Sequence, residues 1–293
     1  MSNGVRDTYL SLSLSFSLSL SLFLSLSLSL FLSLFLSLFL SFFLFQADTT
    51  IPVLCAHFFP NPDMTPQNVS APEIDGRPTT LTLLTHSQLA SSDNLPLLPS
   101  LMNPAFSISH SASGVLPAEI KRLPTDTQIL QELGPDASIY LLSSTPTSTD
   151  AKPTSLLACG CFQPFVRENP PDMSEEAKSF RRVIPAPPEN TLVWDIKLLV
   201  VEPQFQKKGI ASFLLTTIET EVRARASALS KSRAESGKPP IEEVQLKIST
   251  IKEINEGFWT RRGFGLVGEK IHPPGTYGSK IGFTTVDMVK VVS

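Results

Sequence analysis

Cysteine is scarce in this sequence: there are three, Cys55, Cys159 and Cys161. An odd number with one Cys-x-Cys gives neither a disulfide framework nor the paired spacing of a zinc site. The cysteines therefore read as buried or strand residues of a reducing compartment, and no metal is expected. A surplus of positive charge is also missing. The 24 Lys and Arg residues are outnumbered by 27 Asp and Glu, for a formal charge of −3, so nucleic acid is not an expected partner. Neither a Walker loop nor a Gly-x-Gly-x-x-Gly run is present, which removes the commonest nucleotide cradles. The 293 residues leave room for one or two domains.

Charge is almost absent from residues 1–46, where only Arg6 and Asp7 are ionised. Residues 10–45 contain nothing but Ser, Leu and Phe. As a helix the tract would carry hydroxyls on every side, and as a strand it would aggregate. It is too long for a signal peptide and lacks a cleavage site, but it is long enough to cross a bilayer. Ser, Leu and Phe can all be written with pyrimidine-only codons, and the tract ends at Gln46, which CAG encodes. That is the form of a splice acceptor. We read residues 1–46 as translated intron or microsatellite, with a membrane anchor as the alternative. The rest is expected to be soluble, cytoplasmic or nuclear, unless residues 10–45 tether it to a membrane.

Residues 47–76 are proline-rich without periodicity and read as an irregular arm, followed by one domain over 77–293. Within that domain, Thr79–Thr85 suits a strand. Leu95–Phe106 suits a helix that Pro104 interrupts, and Asp126–Leu133 a short helix. Ser138–Ser143 and Thr154–Phe165 read as a hairpin with a long connection, and 166–191 as a surface loop. Leu192–Val201 alternates, with Trp194, Ile196, Leu198 and Val200 on one face and Val193, Asp195, Lys197, Leu199 and Val201 on the other. An amphipathic helix follows, carrying Ile210, Phe213, Leu214, Ile218 and Val222 on one stripe. Glu243–Ser249, Leu266–Ile271 and Val286–Val292 complete the strands, and a helix over Glu253–Arg262 ends at Gly263.

Between the Leu192–Val201 strand and its helix stands Gln206-Lys207-Lys208-Gly209-Ile210-Ala211. Free amides and the positive end of the helix dipole meet there, a setting that suits phosphate. Lys207 and Lys208 would add charge, and Gly209 would let a ligand approach the backbone. This hexapeptide is similar to the acyl-CoA motif Gln/Arg-x-x-Gly-x-Gly/Ala of the Gcn5-related N-acetyltransferase (GNAT) family. Phe258-Trp259-Thr260-Arg261-Arg262-Gly263-Phe264 resembles the family's Phe-Tyr-x-x-x-Gly-Phe, and the order of elements also agrees.

The resemblance implies an α/β (α+β) fold, with a mixed, mostly antiparallel sheet flanked by helices and splayed between its fourth and fifth strands. It implies acetyl-CoA as co-substrate. Pantetheine would pair with the backbone of Leu199, Val200 and Val201, and the amides of Gln206, Lys207, Lys208, Gly209, Ile210, Ala211 and Ser212 would wrap the pyrophosphate. Asn255 and Ser249 could contact the pantetheine or thioester, although local capping explains them equally well. Asp195 matches the position of a glutamate general base in histone-acetylating members. An ordinary aspartate, with a pKa of about 3.9, would need desolvation or a relay through water to serve as a base. The family's tyrosine acid is replaced by Trp259, which cannot donate a proton to a thiolate, leaving Tyr277 as a candidate. The expected activity is transfer of an acetyl group to a primary amine of a small molecule or a peptide. The alternative is a non-catalytic acyl-CoA-binding module.

Overall fold

The computed structural model describes residues 67–144, 155–165 and 187–292. The Ser/Leu/Phe tract, Cys55, the first part of the proline-rich arm, the 145–154 connection and most of the 166–191 loop lie outside the described residues. Every described residue belongs to one compact unit, Phe58–Ser293. No helix among the described residues is long and apolar enough to cross a membrane.

The strands are β1 (Gln67–Ile74), β2 (Arg77–Thr85), β3 (Ser138–Ser144), β4 (Leu156–Pro164), β5 (Thr191–Val201), β6 (Glu243–Ile251), β7 (Gly265–His272) and β8 (Phe283–Val291). The helices are α1 (His86–Ala90), α2 (Leu98–Ser113), α3 (Gln128–Glu132), α4 (Ile210–Glu235) and α5 (Lys252–Thr260). The strands form one sheet in the order β1-β2-β3-β4-β5-β6-β8-β7. β5 and β6 run parallel, and every other neighbouring pair is antiparallel. This is the mixed, mostly antiparallel sheet flanked by helices that the resemblance implies.

The sheet begins earlier than the proline-rich composition suggests. Residues 67–74, read as irregular, form β1 and pair with β2. The cause is local. Asp75 and Gly76 both have positive φ, 52° and 72°, and Ile74 faces Arg77 across them. Two left-handed residues between paired strands make the tight hairpin that Asp-Gly favours. Pro104 does not break α2 either, which runs on to Ser113 and is closed by Gly114 in the left-handed conformation. Pro104 and Ser100 are exposed, so the carbonyl that loses its helical donor at this proline faces water.

The two faces of the sheet bury separate cores. On one face Leu214, Ile218 and Val222 of α4 pack onto Leu157, Phe162, Trp194, Ile196 and Leu246 of the sheet. On the other, Leu98 and Met102 of α2 and Ile129 of α3 pack onto Ile139, Cys159, Cys161, Leu198 and Val200 of the sheet. Both cysteines are free and fully buried, and burial pushes the Cys161 thiol well above its ordinary pKa.

Candidate active site

The parallel pairing of β5 with β6 runs from Thr191 opposite Glu243 to Ile196 opposite Ile248 and then stops. β5 continues to Val201, while beyond Ile248 β6 pairs only with β8, Ser249 lying opposite Asp287. The two strands therefore part at Lys197; they are the fourth and fifth strands of the expectation, renumbered by the additional β1, so the expected splay is present. Between them opens a cleft of about 650 Å³, walled by the end of β5, the Gln206–Ser212 turn, the end of β6, α5 and the last turns of α2.

One edge of β5 is left for a ligand. Glu202 N–H donates to Leu157 across the β4 side at 2.8 Å. The two-residue period of a strand then directs the amide and carbonyl of Val200 to β4, and those of Leu199 and Val201 to the open edge. Leu199 and Val201 are thus the two of the three expected residues whose backbone faces the gap.

At the start of the gap β5 carries a bulge. Phe162 of β4 faces Ile196 and Cys161 faces Leu198, so Lys197 is the extra residue. One extra residue exchanges the faces of everything after it. Trp194 and Ile196 lie on the α4 side together with Leu199 and Val201, and Leu198 and Val200 turn to the α2 side. Unbroken alternation put Asp195 on the same face as Leu199 and Val201. The bulge puts it on the opposite face, with Leu198 and Val200. The Asp195 carboxylate is 9% exposed, lies 2.7 Å from Lys197 Nζ, and is not among the groups walling the cleft, whereas Lys197 is.

The turn after β5 is built to present amides. Lys207 and Gly209 are both left-handed, with φ of 63° and 83°. The first is an uncommon conformation for a residue with a side chain. No side chain caps α4. Its first turn, beginning at Ile210, Ala211 and Ser212, therefore leaves N–H groups at the positive end of the dipole, and Phe213 N–H closes onto Gly209 O at 3.0 Å. A Cβ built on Gly209 would meet nothing within 4 Å, so the space over this backbone is open. Gln206 holds the turn against the strand, its Nε2 donating to Val201 O at 3.2 Å. Lys207 reaches the cleft. Lys208 does not: its ammonium is bound by Asp75 in the β1–β2 turn and lies 5.2 Å over the Phe205 ring.

The far wall comes from β6 and α5. Asn255 lines the cleft and its Nδ2 donates to Thr250 Oγ1 at 3.1 Å, the local bond that was its alternative explanation. Ser249 Oγ donates to Asp287. Trp259 is a buried wall residue packed edge-on to Phe258 and Phe264, with ring centroids 5.0 Å away in each case. Tyr277 lies outside the cleft, 74% exposed, with its ring 6.0 Å from that of His272.

Arg262, Phe106, His110 and Arg122 are among the wall residues that were not singled out from the sequence. Arg262 stacks 3.5 Å over the Phe258 ring, donates to Phe258 O at 3.0 Å, and binds Ser212 Oγ at the head of α4. The i, i+4 spacing of Phe258 and Arg262 was a usable signal for the stack. Phe106, His110 and Arg122 reach the cleft only because α2 and the segment after it cross the end of β5, which no local pattern encodes.

No protein-family model matches the chain, and no curated protein sequence matches it. Similar folds occur among solved structures. The ribosomal-protein-S18-alanine N-acetyltransferase of Escherichia coli is 12% identical with a TM-score of 0.41, covering 73% of this chain and 94% of its own. Arabidopsis thaliana NAA60, solved with a bisubstrate analogue, is 15% identical with a TM-score of 0.37, covering 67% and 95%. The aminoglycoside 6′-N-acetyltransferase of Enterococcus faecium is 14% identical with a TM-score of 0.36, covering 73% and 97%.

Proposed function

We propose that this chain is a GNAT-type N-acetyltransferase that moves an acetyl group from acetyl-CoA to a primary amine. The observation that carries the reading is one continuous feature. The edge of β5 that no strand covers, with the backbone of Leu199 and the amide of Val201 facing out, leads directly into an uncapped helix N-terminus over which the space is open. An extended amide chain ending in a diphosphate fits such a track. Its amides would pair with the strand edge, and its phosphates would lie on the amides from Lys207 to Ser212 beside Lys207 and Arg262. The thioester would then come to the splay at Lys197, where an amine entering from the α2 side could reach it.

The reaction asks for little beyond positioning. The amine must lose a proton before it attacks, and the thiolate must gain one. Asp195 as the base would first have to release Lys197, so Asp195→Asn tests both its chemistry and its structural role. The competing reading, a non-catalytic acyl-CoA-binding module, is favoured by one observation. Trp259 stands packed between two phenylalanines where the family's proton donor would be. The deciding experiment is release of free CoA from acetyl-CoA across a panel of amines, covering amino acids, polyamines and peptide N-termini. Turnover above the hydrolysis background supports the transferase. Tight binding with no transfer to any amine supports the module.

A further inference from the structure

We propose that His110, from the last turn of α2, is the group that takes the proton from the acceptor amine. This rests on the transferase reading above. His110 walls the cleft yet is 7% exposed, and its Nδ1 is buried without a hydrogen-bond partner. The ring is held edge-on by Phe106 at 5.6 Å. A buried imidazole whose ring nitrogen bonds to no protein group is costly for a fold to keep. It is explained if the ring serves what enters the cleft.

Position along the cleft agrees with that role. Arg122 acts on His110 and makes a bidentate ion pair with Glu132, one arm of which measures 2.7 Å. His110 and Arg122 together wall the cleft on the α2 side, the side to which Leu198 and Val200 turn. The carboxylates of Glu132 and Asp195 are already bound to Arg122 and Lys197. His110 Nδ1, by contrast, has no hydrogen-bond partner.

Its charge state also suits a base. The charged groups walling the cleft are Arg122 from the segment after α2, Lys197 from β5, Lys207 from the turn, and Arg261 and Arg262 after α5, all cations. Burial, with Arg122 adding to it, lowers the His110 pKa, so the ring is neutral at physiological pH. The α2 C-terminus, whose partial charge is negative, eases the imidazolium that forms.

In the step, R–NH3⁺ gives one proton to the imidazole. The freed lone pair attacks the thioester carbonyl, forming the C–N bond, and the C–S bond breaks as CoA thiolate leaves. The second proton lost by the amine nitrogen ends on that sulfur, and the imidazolium returns its proton to solvent.

The test compares wild type with His110→Gln and His110→Asn in the same CoA-release assay from pH 5.5 to 9.5, with acetyl-CoA affinity measured alongside by calorimetry. The expected result is a fall in kcat/KM of about 10²-fold or more, loss of the acid limb set by the histidine, and an acetyl-CoA Kd within about 3-fold of wild type. His110→Ala should regain activity on addition of free imidazole. A His110→Gln enzyme that keeps kcat/KM within about 3-fold, with an unchanged acid limb, overturns the inference and leaves the transferase reading standing. A wild type that binds acetyl-CoA but acetylates no amine overturns the transferase reading, and this inference with it. The asparagine variant decides the matter should the glutamine variant not fold.

Discussion

Gly209→Asp separates the fold from the cradle. Gly209 has φ of 83°, which costs an ordinary L-residue about 1–2 kcal/mol. Aspartate is among the side chains that tolerate this region best. At the N-terminus of α4 its charge returns about 0.3–1 kcal/mol through the helix dipole. No atom lies within 4 Å of the new Cβ, so no clash is added. The net cost to the apo protein is therefore about 1 kcal/mol, or about 2–4 °C in Tm for a unit of this size. Binding should respond quite differently. A ligand at 100 times its Kd stabilises by about 2.7 kcal/mol, which is about 5–10 °C here. Wild type should show that shift with acetyl-CoA. Gly209→Asp should lose it, because a carboxylate then occupies the open space over the amides and repels the diphosphate. The assay is differential scanning fluorimetry with and without acetyl-CoA, paired with calorimetric titration. A variant that melts within about 4 °C of wild type and still binds acetyl-CoA within about 3-fold would refute the placement of the diphosphate on this turn.

Gln206→Ala removes the bond that ties the turn to Val201 O, and should weaken acetyl-CoA binding by about 5-fold, the worth of one net hydrogen bond, in the same titration. Leu214 of α4 is fully buried against the sheet, and Leu214→Ala should cost about 2–5 kcal/mol, read from the urea midpoint. His110 and His272 are buried and hold their pKa values below the ordinary histidine value, chiefly through desolvation. An unfolded chain therefore binds protons more readily than the native one. Stability should be full above about pH 6.5 and decline as pH falls below it toward the folded pKa values, seen as a falling urea midpoint between pH 7 and pH 5.

What the sequence makes legible here is what repeats or punctuates locally. Gln206–Ala211 lies on the turn because glycine, lysine and an apolar stripe together define a strand–turn–helix junction wherever it is packed. Gly263 closes the α5 region because a left-handed residue was needed there. The Asp75-Gly76 hairpin was equally legible, but six nearby prolines concealed it. The strength of a two-residue turn signal outweighs composition when the flanking residues can pair. Pro104 misleads for a different reason. A missing helical hydrogen bond is cheap on an exposed face, and exposure belongs to the fold.

The bulge at Lys197 marks the boundary between what local pattern reaches and what it does not. Period-two reasoning is sound for β5 up to Ile196 and again from Leu198, yet one inserted residue reverses which side chains meet the acceptor. No residue at the bulge announces it, since neither glycine nor proline is there. The same residue explains the site's architecture. An unpaired residue weakens the ladder where β5 leaves β6, and it lets the strand bend away so that the splay can open. It also turns Asp195 toward the α2 side, where Lys197 claims it, and leaves that face to the groups α2 supplies. The proposed donor track could thus be read from a motif, because it is built from consecutive backbone. The acceptor side is built from α2, the segment after it and a strand irregularity. Its proton chemistry accordingly falls to a histidine remote in sequence from the motif.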